Sequence, residues 1–103
     1  MDKLRSGDMD SLFEAILALQ NVDECYRLFE DLLTVRELQS VSQRYAVAKM
    51  LYDKRVYSEI VSETGASTAT ISRVNRSLAY GNDGYKLVLR RLGKNSEENG
   101  TSH

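Results

Sequence analysis

The chain has 103 residues, a formal net charge of −1, 28% charged residues, no proline and one cysteine. That length supports a single domain with a modest core, helped by self-association, and the lack of helix breakers favours helix throughout. No apolar run approaches the ~18 residues of a membrane span, no secretory pattern opens the chain, and a lone Cys25 excludes an internal disulfide and suits a reducing cytoplasm.

In chain order the pattern predicts about six helices, an all-α fold. Residues 1–7 read as frayed. Ser11-Leu-Phe-Glu14 has the form of a capping box, with Leu12, Ile16, Leu17 and Leu19 as the apolar face of a first helix. Asn21-Val-Asp-Glu24 opens a second, with Cys25, Leu28, Phe29, Leu32 and Leu33 at helical spacing, so that Cys25 reads as a small, half-buried filler. Thr34-Val-Arg-Glu37 is another capping box, opening a long third helix to about Lys54 with Leu38, Val41, Tyr45, Ala48, Leu51 and Tyr52 near one side.

The segment 57–80 reads as a helix-turn-helix. A short helix from Tyr57 to Thr64 meets Gly65, placed where a tight turn wants a residue without a Cβ. Ser67 is a good N-cap for a second helix running to about Tyr80, with Ile71, Val74 and Leu78 on one face. Gly81-Asn-Asp-Gly84 breaks the pattern. A last helix runs from Tyr85 to Leu92, and 95–103 reads as a disordered polar tail. The expected domain is therefore 1–94, with 1–33 as dimerisation helices.

Charge is divided along the chain. Residues 1–33 set Lys3, Arg5 and Arg27 against eight acids, a sum of −5, whereas 67–94 set Arg73, Arg76, Lys86, Arg90, Arg91 and Lys94 against Asp83 alone, a sum of +5. A basic patch on the second motif helix and beyond is what a phosphate backbone would meet, whatever the whole-chain charge. In a docked helix-turn-helix the start of the second helix approaches base edges in the major groove. Ser67, Thr68, Ala69, Thr70 and Ser72 are small enough for close approach, and threonine offers both a hydroxyl and a methyl. Arg73 and Arg76 can reach phosphates or guanine edges. These seven residues are the candidate contacts to double-stranded DNA.

From Gly65 to Leu78, GASTATISRVNRSL, and on through Ala79 to Leu89, the sequence closely resembles the Trp repressor family, in particular its YerC/YecD branch. The resemblance covers most of 34–92, while the first two helices match in pattern. It implies an intertwined homodimer whose two recognition helices meet successive major grooves of a roughly palindromic operator. Thr70 and Ser72 match threonines of the family's reading helix and Ala69 an alanine. It also implies an effector pocket at Gln43, Arg44, Arg73, Val74 and Ser77. In the family's tryptophan site two arginines sandwich the indole and a glycine follows one of them. Arg73 and Ser77 match that site, but Val74 stands at the glycine and Gln43 at the second arginine, with Arg44 adjacent.

The expected function is a sequence-specific DNA-binding transcriptional regulator, a repressor acting as a homodimer without tryptophan as corepressor. No cofactor is expected, and any other small-molecule effector is left open. The alternative is a helical protein-interaction module that keeps the helix-turn-helix as a scaffold. Catalysis is not expected: the sequence has no metal-ligand cluster, no Gly-rich phosphate loop, and no histidine except His103 to serve Cys25.

Overall fold

The computed structural model describes residues 4–100, with side chains from Leu4 to Gly93. Six helices follow one another and no strand occurs among the described residues: α1 (Gly7–Leu17), α2 (Val22–Leu32), α3 (Val35–Tyr52), α4 (Tyr57–Thr64), α5 (Thr68–Tyr80) and α6 (Gly84–Gly100). None is long and apolar enough to cross a membrane.

Local chemistry sets most of the boundaries. Ser6, not Ser11, caps α1: its side chain accepts from the Met9 amide, and Asp8 and Asp10 then lie in the first turn, where the helix dipole favours acids. Asn21 caps α2 by accepting from Glu24 N, while Gln20 N donates to the Glu24 carboxylate at 2.9 Å. At the start of α3, Thr34 Oγ1 accepts from Glu37 N at 3.1 Å and Glu37 Oε1 from Thr34 N at 2.9 Å, the reciprocal pair of a capping box. Those bonds hold the Glu37 carboxyl below its ordinary pKa. The last helix continues to Gly100, past the expected end at Leu92 and into the expected polar tail; the tail's final residues, 101–103, lie outside the described residues.

Contacts divide the chain into two units, Met1–Leu38 and Gln39–His103, with the division inside α3. In the first unit no residue of α1 or α2 is buried, and Phe13, Leu17, Val22, Tyr26 and Leu32 are exposed. Cys25 is exposed as well, not half-buried: the more covered apolar residues on α2 are Leu28 and Phe29. The second unit has a core of Val47, Ala48, Ile60, Ala66, Ile71, Val74 and Leu78, against which Met50, Leu51 and Tyr85 are partly buried.

The turn between α3 and α4 carries strain. Lys54 lies in the left-handed region at φ 62°. Lys54 N donates to Leu51 O and Arg55 N to Met50 O, both at 2.9 Å. This is a Schellman cap with lysine where glycine is the usual residue. Because a left-handed residue with a Cβ costs roughly 1–2 kcal/mol, Lys54→Gly is expected to raise the unfolding free energy by about 1 kcal/mol in chemical denaturation.

Candidate nucleic-acid interface

The helix-turn-helix is built from α4, a tight turn and α5. Gly65 takes φ 69°, ψ 7° and donates to Val61 O at 2.9 Å, closing α4 with a left-handed cap. A Cβ there would meet nothing within 4 Å, so the requirement for glycine is conformational and not spatial. Thr64 Oγ1 donates to Ile60 O at 2.7 Å and accepts from Ala66 N at 3.1 Å. From outside the motif, Gln43 Nε2 on α3 donates to Thr64 O at 3.1 Å, satisfying a carbonyl at the end of α4.

Ser67 caps α5: its Oγ accepts from Thr70 N at 3.1 Å and donates to Thr70 Oγ1 at 3.1 Å. Ile71, Val74 and Leu78 are buried and join α5 to the core. Off that face, Thr68, Ala69, Ser72, Arg73 and Arg76 are exposed, and Thr70 is half-buried beside its cap. The seven candidate DNA contacts thus occupy the first nine residues of α5 and its cap. Among the described residues, no carboxylate pairs with Arg73 or Arg76; the ion pairs formed are those of Arg55 with Glu59 and Glu63.

The five candidate effector residues are used in different ways. Val74 is 1% exposed and part of the core. Gln43 is engaged with the α4 carbonyl, and Arg44 is half-buried on α3. Arg73 is exposed on the outer face of α5. Ser77 lines an open cleft with Gly81, Asn82, Gly84 and Tyr85, which includes none of the other four. Gly81 is tightly placed there, since a Cβ would lie 2.4 Å from Ser77 O.

Arg55 is the feature that sequence reasoning missed. It follows the left-handed Lys54 and reaches along α4, its Nε donating to Glu59 Oε2 at 2.8 Å and its Nη2 pairing with Glu63 Oε2. The hydrogen bond to Glu59 raises the guanidinium pKa above its ordinary value. The spacing of Glu59 and Glu63, one turn apart, was a usable signal; the direction of Arg55 depends on the cap at Lys54.

The comparisons agree with this architecture. The family model of the Trp repressor protein matches residues 7–93. The uncharacterized protein YerC of Bacillus subtilis (strain 168) is 52% identical over 98 residues, covering 95% of this chain and 94% of that protein. A TrpR-like protein from Eubacterium eligens ATCC 27750 has a crystal structure that superposes with TM-score 0.87 at 57% identity, covering 90% of this chain and 96% of that one. The crystal structure of a candidate Trp repressor from Staphylococcus aureus superposes with TM-score 0.86 at 55% identity, covering 89% and 92%. The chain belongs to the Trp repressor family of helix-turn-helix DNA-binding regulators, as a YerC-like member.

Proposed function

We propose that the protein is a sequence-specific regulator that binds double-stranded DNA as a homodimer and represses transcription by occluding a promoter or operator. The observation that carries this reading is the start and outer face of α5: small side chains at Thr68, Ala69 and Ser72, with Thr70 half-buried beside them, followed by Arg73 and Arg76 with no carboxylate partner among the described residues. Such a face suits close approach to base edges, with the arginines at phosphates or guanines. Dimerisation is supported by the first unit, where large apolar residues on α1 and α2 stand exposed with no buried residue among them. A second copy of the same chain would cover them, and two recognition helices would then call for a symmetric site. Selecting bound duplexes from a random pool tests the reading. A palindromic consensus is expected; winners without shared sequence contradict it.

Tryptophan is not the corepressor in this proposal. The isopropyl group of Val74 belongs to the core and fills space that glycine would leave open. Forcing a ligand against it costs about 1–3 kcal/mol, and the second stacking arginine, worth ~0.5–2 kcal/mol, is replaced by Gln43. At 1.4 kcal/mol per tenfold these remove roughly 10²-fold of affinity. Calorimetric titration with L-tryptophan should give no saturable heat below about 1 mM; a micromolar isotherm contradicts the proposal.

A further inference from the structure

The first helix of the motif, α4, has an awkward charge for its place. In a docked helix-turn-helix this helix crosses the phosphate backbone, yet α4 carries Glu59 and Glu63 and no base of its own. With Ile60 buried, the 100° step per residue places Ser58 and Ser62 on the outward face and both carboxylates along one edge beside it. Both serines are exposed, and serine hydroxyls are ordinary donors to phosphate oxygens. Two bare carboxylates next to them would repel the backbone that the serines could otherwise contact. They would also repel each other at i, i+4.

One guanidinium meets both. Arg55 bonds Glu59 through Nε and Nη2 at 2.8 Å and pairs with Glu63 through Nη2. Its starting point is set by the Schellman cap, in which left-handed Lys54 turns the chain from α3 so that Arg55 lies at the foot of α4. As a stability element the pairs are minor, because all three side chains are 38–54% exposed and such pairs contribute little. Their value lies in what they present to a polyanion.

We propose that Arg55 is an electrostatic positioning residue for DNA binding: by clamping Glu59 and Glu63 it screens the acidic edge of α4 so that a phosphate backbone can approach the Ser58–Ser62 face. This rests on the DNA-binding reading above, and it gives Arg55 a role through the two glutamates and not through a phosphate of its own.

The test uses the full chain and a duplex carrying the site selected from the random pool, by fluorescence anisotropy across a salt series. Arg55→Ala should weaken binding by about tenfold at low salt, with the defect shrinking as salt screens the exposed carboxylates. Glu59→Gln/Glu63→Gln should bind at least as tightly as wild type. The decisive variant is the triple Arg55→Ala/Glu59→Gln/Glu63→Gln, which should recover to within about twofold of wild type. A triple variant as weak as Arg55→Ala overturns the proposal and makes Arg55 a direct phosphate ligand. An Arg55→Ala protein that binds like wild type overturns it too. Circular dichroism of each variant at the assay temperature shows that folded protein is being compared. Failure of the DNA-binding reading itself is distinguishable, because it appears in the wild-type isotherm as no preference for the selected duplex.

Discussion

Replacing Ile71 by alanine is expected to lower the unfolding free energy by about 2–5 kcal/mol, the usual range for emptying a buried isoleucine site. Ile71 is 0% exposed and belongs to the same cluster as Val47, Ile60, Ala66 and Val74. It sits three residues after Thr68, so the side chain that anchors α5 lies within the turn proposed to read DNA. A domain of this size holds only about 5–15 kcal/mol in total, so the loss takes a large part of it. Urea denaturation checks this directly. Ser72→Ala, one residue on but exposed, provides the contrast and should shift stability by less than about 0.5 kcal/mol. Equal effects at the two positions would contradict the assignment of inner and outer faces.

The second large effect is on binding. Arg73→Ala/Arg76→Ala is expected to abolish measurable preference for the selected site while leaving the fold intact, since both side chains are exposed and neither pairs with a carboxylate among the described residues. The single variants then sort the roles. An arginine on a guanine edge costs about 1–3 kcal/mol and relaxes specificity at one position, whereas one on a phosphate weakens all sequences alike and lowers the salt slope by about 1. If the protein were an interaction module with an incidental basic patch, neither variant would change its function.

The motif and the start of α3 were legible because their determinants are local. Gly65 is needed for a left-handed φ, Ser67 for a cap, and Thr34 with Glu37 for a reciprocal pair; each is settled within four residues. The buried face of α5 followed from helical spacing alone. What escaped the sequence depends on competition or distance. Ser11 is the expected cap and 1–7 the expected frayed end, whereas Ser6 takes the role with Asp8 and Asp10 in the first turn. On α3 the core is made by Val47 and Ala48, while the expected Val41 and Tyr52 are exposed although they belong to the same unit. The expected end at Leu92 stands just before Gly93, yet Gly65 is the glycine with positive φ among the described residues, and α6 runs through Gly93 at the modest cost glycine imposes inside a helix. The direction of Arg55 could not be read, even with Glu59 and Glu63 one turn apart, because it needs a lysine in a conformation that sequence rules assign to glycine.

The stretch of α5 between Thr68 and Arg76 is proposed to read double-stranded DNA. The most direct measurement is the affinity of wild-type protein and of Thr70→Val for the selected duplex and for single-base variants of it, at fixed salt. A clear preference for the selected site is expected in the wild type and, in Thr70→Val, a loss of about 1–3 kcal/mol concentrated at one symmetric pair of base positions. Equal affinity of the wild type for selected and unrelated duplexes would contradict this reading of α5.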